Sequence, residues 1–540
     1  MKKVISILLT AVLLLSLAIP AFAGVDVCSS KSQIPIIRIS GDGEPLYDSE
    51  GNQLITFSSF FSAFGSEDGD NSELYKSVAN VLMPFLIDGL LNDEWDAYYD
   101  ALYKEIAELF DNALLDKNGD PIGNSGLSES KKNKLKTDMN TDRYGSKKYY
   151  GIEDYRFTYD WRLDPTQIAG DFNEYIKAVK KATGRDKVGI VASCLGTSIV
   201  LAYLAEYGTD DVNGIGFDGS VCNGAEILSE PISGKFRVEG DSLTRVLEDS
   251  NYLGLFDVDE FLLATVDLLS KSGAIDGITA SVKKTIYDKV VKGVTSSLAL
   301  STLCTWPGYW SAVSDEDYDD AMLYVFGEEG SEKRTEYAGL IEKIENYNIV
   351  RGHSDTILKN AKADGVNIGI IAKYGQQIIP ICQSADKIAD AYVTVERSSF
   401  GATTSMIYDT LSDSYISALA PENRKYVSPD KQVDASTCLF PEYTWFIKGA
   451  AHSDWTDKEM QILYDVVSAD RQLTVNDTDV SQFMVYSYEN NTVSKMTEEN
   501  CDTYVWSDSS SKKPEENLFE KLISFLTSLF NWFRLLFTKF

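Results

Sequence analysis

The chain has 540 residues, enough for one large domain with insertions or two to three small ones, so a sizeable core is available. Its 82 acidic against 50 basic residues give a formal charge of −32, a field that repels phosphate backbones and anionic lipid surfaces and argues against nucleic acid as a partner. The acidity is spread along the chain without a block of like charge, which reads as a solvated surface.

Met1 to Ala23 carries Lys2 and Lys3, then an apolar run from Val4 to Ile19, then Ala21-Phe22-Ala23, the form of a signal peptide with a small-x-small cut. The expectation is export, with a mature chain from about Gly24 that is secreted or held at the cell surface. Loss of Lys2 and Lys3 moves the formal charge from −32 to −34. Cys28 follows Val25-Asp26-Val27, too far beyond the cut for a lipid-modified start. The cysteines are Cys28, Cys194, Cys222, Cys304, Cys382, Cys438 and Cys501, an odd set of 7. If Cys194 stays free, the others allow up to three disulfides, whose pairing the spacing does not choose. No Cys-x-x-Cys or Cys/His cluster calls for a metal, and no cofactor is expected.

In chain order, Ile34 to Ser40 predicts a strand running into the tight turn Gly41-Asp42-Gly43. Residues from about Ser72 to Leu115 predict a helical insertion, with Val78, Val81, Leu82, Phe85, Leu86 and Leu90 at helical spacing and a break near Pro84 or Gly89. Asp116-Lys117-Asn118-Gly119-Asp120 starts like a calcium loop, but Pro121 stands where glycine is needed, so it reads as a turn. Next come a short strand from Tyr155 to Tyr159, a helix from Pro165 to Thr183, a buried strand from Val188 to Ala192, a helix from Leu195 to Tyr207 and a strand from Ile215 to Val221. Residues from about Leu228 to Asn360 are largely helical and read as a cap inserted into the sheet. Val366 to Ala372 and Tyr443 to Lys448 are the next strands, and a helix follows from Lys458 to Val467. Such alternation predicts an α/β fold with a mostly parallel, helix-covered sheet. The expected organisation is one such domain over residues 24–470, a small β-like extension and linker over 471–511, and an apolar amphipathic helix over 512–540.

The chemistry centres on Val188-Gly189-Ile190-Val191-Ala192-Ser193-Cys194-Leu195-Gly196-Thr197, a strand that turns at once into a helix. A nucleophile at such a turn is strained, and the residues two before and two after it must be small. Ser193 would put Val191 and Leu195 in those places, whereas Cys194 puts Ala192 and Gly196 there, so Cys194 fits. The bland alternative is an inert buried cysteine, which leaves the small-residue bracket unexplained. A helix N-terminus favours a thiolate, and its backbone N–H groups face a developing oxyanion. Leu195 is one expected donor and the backbone of Asp42 the other.

A base is then needed, and the chain has 2 histidines, His353 and His452. His452 follows the last strand through Gly449-Ala450-Ala451, at the edge where open α/β sheets gather reactive groups, while His353 precedes a helix and suits a surface or capping role. The orienting acid is expected after the strand Val366 to Ala372, which leaves Asp390 and Asp386, with Asp390 favoured because it leads into Ala391-Tyr392-Val393.

With these residues placed, the chain resembles the lecithin:cholesterol acyltransferase-like branch of the α/β-hydrolases, lipases and acyltransferases that move fatty acyl groups. The match rests on Tyr159-Asp160-Trp161-Arg162-Leu163-Asp164-Pro165, with the strand of Gly41, the elbow, the loop of Asp390 and the segment of His452, over roughly Ile34 to Val467. That family usually has serine within Gly-x-Ser-x-Gly, whereas here Ala192-Ser193-Cys194-Leu195-Gly196 has cysteine at the centre, as in the dienelactone hydrolases. The resemblance implies an α/β-hydrolase fold and an acyl ester or lipid substrate, cleaved or transferred through Cys194, His452 and Asp390.

Leu518 to Phe540 is dense in large apolar residues interrupted by Lys521, Asn531, Arg534 and Lys539. It reads either as a helix lying in a membrane interface or as one docked on the body or on another copy. Three functions therefore stand open: an acyl hydrolase or transferase, a lipid- or partner-binding protein that keeps the fold without turnover, and a surface protein tethered by its tail.

Overall fold

A computed structural model describes residues 34–41, 45–54, 84, 94–128, 154–235, 303–378 and 382–501. The leader 1–23, Cys28, Asp42, most of the first helical insertion before residue 94, residues 236–302 of the cap and the tail Leu518 to Phe540 lie outside the described residues.

The strands of the main sheet are β1 (Ile36–Ile39), β2 (Asp154–Phe157), β3 (Val188–Cys194), β4 (Val212–Ser220), β5 (Asn367–Tyr374), β6 (Thr444–Lys448), β7 (Phe483–Ser487) and β8 (Thr492–Lys495). They form an 8-stranded sheet in the order β8-β7-β6-β5-β4-β3-β1-β2. Every pairing is parallel except the β7–β8 hairpin. A parallel sheet covered on both faces needs near-continuous apolar strands, and every residue of β5 is buried. β4 begins at Val212, earlier than the apolar run suggests, because Val212 and Gly214 pair with Val188 and Gly189 although Asn213-Gly214 reads as a turn. The polar stretch after Val467 supplies β7 and β8, so it extends the main sheet through Phe446 against Phe483.

The helices carry their own start and stop signals. After α1 (Asp96–Phe110), α2 (Pro165–Thr183) opens on Asp164, whose carboxylate accepts the Thr166 N–H at 2.8 Å. Pro165 occupies its first turn, and Gly184 at φ 68° closes it. α3 (Leu195–Tyr207) springs directly from β3. The described half of the cap is helical, with α4 (Asp315–Phe326), α5 (Ala338–Arg351) and α6 (Ser354–Ala363). α7 (Asp457–Ser468) opens on a capping box between Thr456 and Glu459.

Successive strand residues face opposite sides, and the two cores follow that alternation. Ile190 and Ala192 share a core with Phe172 and Ile176 of α2 and Ile199 of α3, whereas Val191 and Ile371 share the other with Leu463 and Val466 of α7. The strand order, the crossover helices and the strand-to-helix turn at Cys194 are those of the α/β-hydrolase fold. The carboxyl ends of β3 to β6 lie side by side, the edge where such sheets carry their chemistry.

Candidate active site

Cys194 ends β3 and precedes the first turn of α3 with φ 51° and ψ −132°, a left-handed conformation that costs a side-chain-bearing residue of order 1–3 kcal/mol. Tight packing enforces it. A Cβ on Gly196 would lie 2.7 Å from the Ile39 carbonyl oxygen and 3.0 Å from that of Ser40, so no larger residue fits two places after the thiol. Ala192, two places before, is fully buried. The glycine half of the small-residue bracket predicted for the elbow is thus a contact between Ile39-Ser40 and the start of α3.

Gly41 borders the same space. A Cβ there would sit 2.9 Å from the Cys194 Cβ, 3.1 Å from its sulfur and 3.6 Å from the Leu195 nitrogen. The bare glycine keeps the thiol and the Leu195 N–H open to a common volume, the place a developing oxyanion would occupy. Tyr159 pins this corner, its hydroxyl lying 2.8 Å from the Ser40 carbonyl oxygen and 3.1 Å from that of Gly41. The rest of its motif is structural: Asp160 and Arg162 form a buried ion pair at 2.7 Å, and Trp161 stacks on Tyr309.

His452 lies on the loop after β6. Its Nδ1 is 2.8 Å from Asp390 Oδ2, and its backbone N–H donates to the Asp390 carbonyl at 2.8 Å, so ring and main chain are held by one residue. The other carboxylate oxygen of Asp390 accepts the N–H groups of Tyr392 and Val393 at 3.0 and 2.9 Å, which fixes the acid before it meets the histidine. Asp390 is the acid that meets the ring, while Asp386 closes a short 3₁₀ turn in the same loop. His353 is exposed at the start of α6 and makes no side-chain cap.

Burial presses the His452 ring toward its neutral form, but the Asp390 carboxylate and the Cys194 sulfur outweigh it. Each acts by charge and by hydrogen bond, and together they hold the imidazole well above its ordinary value. The Asp390 carboxylate thus meets the imidazole directly, and the Cys194 sulfur lies near enough to help raise it.

Neither motif nor spacing pointed to two further neighbours. Gly219, at φ 54° near the end of β4, lies beneath the ring, and a Cβ there would come within 2.8 Å of His452 Cε1 and 3.0 Å of Nδ1. Tyr392 stacks on the imidazole with centroids 4.8 Å apart and planes at 11°. The strand-end sequence Asp218-Gly219-Ser220 is the only trace of the first, and nothing in sequence order announces the second.

No family model matches the chain, and no curated protein does. The solved structure of the Tle4-Tli4 complex aligns over 64% of this chain and 75% of its own at 12% identity, with a TM-score of 0.27, a likeness too slight to carry an argument.

The thiols divide sharply. All 6 described cysteines are free, so none of the bridges allowed by their number forms among them. Burial pushes Cys222 up to about 11 and Cys438 up to about 12, and raises Cys304 and Cys382 as well. Cys501 is also buried, and Cys194 alone among the six is half-exposed.

Proposed function

We propose that this chain is an acyl hydrolase or acyltransferase in which Cys194 is the nucleophile, His452 the general base and acid, and Asp390 the group that orients the histidine. The observation that carries the reading is a strained thiol at the strand-to-helix turn beside a buried imidazole that a carboxylate meets at 2.8 Å.

In this reading His452 already holds the thiol proton; the sulfur attacks the carbonyl carbon, and the carbonyl π pair moves to oxygen, where the Leu195 N–H receives it. The second donor expected from sequence, the backbone of Asp42, completes the oxyanion site in this reading. Collapse restores the carbonyl and expels the alkoxide, which takes its proton from the imidazolium. The thioester left on Cys194 is then attacked by water or an alcohol that gives its proton to His452, and the departing sulfur regenerates the site. Water gives hydrolysis and an alcohol gives transfer.

The substrate class in this reading is a lipid-like acyl ester, as the resemblance to the lecithin:cholesterol acyltransferase-like branch implies. Secretion, and membrane contact through Leu518 to Phe540, belong to the same proposal. Purified protein is incubated with short- and long-chain p-nitrophenyl esters beside Cys194→Ala and His452→Ala. Each substitution is expected to lower kcat by about 10³-fold or more, and mass spectrometry should place an acyl adduct on Cys194. Equal rates in all three proteins would remove the enzyme reading and leave a binding protein on a hydrolase frame.

A further inference from the structure

Behind the His452 loop lies a cluster of charge that the reaction above does not use. Lys373, in β5, is fully buried and donates to Asp218 Oδ2 of β4 at 2.7 Å. Its ammonium also lies 3.3 Å from Glu459 Oε1 at the start of α7, donates to the Asp454 carbonyl oxygen, and sits 4.9 Å from the centre of the Trp455 ring. One side chain thus ties two strands and a helix to the segment that carries the histidine.

That segment is a closed turn. The Asp454 carboxylate accepts the Ala451 N–H at 2.7 Å and the Tyr488 hydroxyl at 2.9 Å, and the Asp454 N–H donates back to the Ala451 carbonyl at 3.0 Å. His452 lies inside this turn. Asp390 grips it from the catalytic side and Lys373 grips its far end through the Asp454 carbonyl. Asp218 adjoins Gly219, the residue directly under the imidazole, so the same ammonium also fixes the floor of the ring.

We propose that Lys373 is a positioning residue that, clasped between Asp218 and Glu459, holds the Ala451–Asp454 turn so that His452 faces Cys194. The proposal rests on the reading of Cys194 and His452 as nucleophile and base. A purely structural role explains the cluster poorly, because three buried ionisable groups cost stability that an apolar trio would not. The groups facing it are Asp218 from β4, Glu459 from α7, Asp454 and His452 from the loop after β6, and Asp390 from the loop after β5. Two carboxylates against one ammonium leave a surplus negative charge when all are ionised, and burial pushes Glu459 up to about 7 against the pull of Lys373.

The test follows alkylation of Cys194 by iodoacetamide, located by mass spectrometry, from about pH 5 to about pH 9, beside hydrolysis of p-nitrophenyl butyrate. An imidazole that holds the thiol's proton leaves a sulfur that reacts at pH 6, so wild type should alkylate there at least ~10-fold faster than His452→Ala. Lys373→Met alone strands two buried carboxylates. The double variant Lys373→Met/Asp218→Asn removes one of them and restores the charge balance while the Asp454 anchor stays lost. In the double variant, folded by circular dichroism and urea titration, alkylation at pH 6 and kcat should each fall roughly 10-fold with KM within ~2-fold. A double variant whose pH profile and kcat superimpose on wild type, while His452→Ala remains slow, overturns the role of Lys373 alone. A His452→Ala profile that matches wild type instead overturns the nucleophile–base reading and this inference with it.

Discussion

The two halves of the site are held by opposite means. Around Cys194 the restraint is steric: Gly41 and Gly196 leave no room for a Cβ, the backbone is driven to φ 51°, and the neighbours are carbonyls and apolar side chains. Around His452 the restraint is electrostatic, with Asp390 on one side and Lys373, Asp218 and Glu459 behind, all fully buried. A steric frame keeps its shape across pH, whereas a charged frame holds only while its groups keep their protons in the right places. Gly219 is where the two meet, a missing side chain under the charged ring.

On that contrast, the largest loss comes from changing charge without changing shape. Asp390→Asn keeps volume but removes the partner that fixes the imidazole tautomer, and kcat for ester hydrolysis should fall about 10³- to 10⁴-fold with the fold intact by circular dichroism. A loss below tenfold would mean that Tyr392 and Gly219 alone orient the ring. Next in size is Gly219→Ala, whose methyl group would need the space of His452 Cε1 and whose φ of 54° suits glycine. Displacing the ring by about 1 Å should cost roughly 10²-fold in kcat with little change in KM. Smaller again is Tyr159→Phe, which frees the Ser40 and Gly41 carbonyls; one lost hydrogen bond worth about 1 kcal/mol corresponds to about a 5-fold fall in kcat. Should Tyr159→Phe outrank Gly219→Ala in stopped-flow rates, the steric half would be the weaker one and the comparison would be reversed.

How legible each half was follows from the same physics. Steric restraint is local, so Ala192-Ser193-Cys194-Leu195-Gly196 displayed it as spacing, and the register that excluded Ser193 is the one the backbone adopts. The strands and helices flanking it were equally readable, since Asp164, Pro165 and Gly184 bound α2 by local chemistry. Charge partners are not local. His452 was reached by elimination between 2 histidines, and Asp390 by strand order with Asp386 still open, because 62 positions separate acid from base. Lys373 was hidden inside the apolar run of β5, and Tyr392 and Gly219 carry no pattern that says a ring will lie against them. β4 was read short because Asn213-Gly214 mimics a turn, and β7 and β8 were read as an extension because their antiparallel hairpin ends on a polar, largely exposed edge strand, β8.

The two halves separate most cleanly on stability. Burial pushes the Glu459 carboxyl from an ordinary 4.5 up to about 7, so between those values the folded chain holds a proton that the unfolded chain has released. Stability therefore falls as pH rises through this window: the favourable contribution is complete below pH 4.5 and lost above about 7. Glutamine cannot ionise, yet its side-chain oxygen can still accept the Thr456 N–H that Glu459 Oε2 takes at 2.7 Å, so the capping box of α7 survives. Glu459→Gln should flatten the pH dependence of urea unfolding between pH 5 and pH 8 by on the order of 1–3 kcal/mol. Asp218, also raised by burial against the pull of Lys373, keeps a residual slope of the same sign. Parallel unfolding profiles for the variant and wild type would show that the cluster does not titrate, and the electrostatic half of the site would then be as indifferent to pH as the steric one.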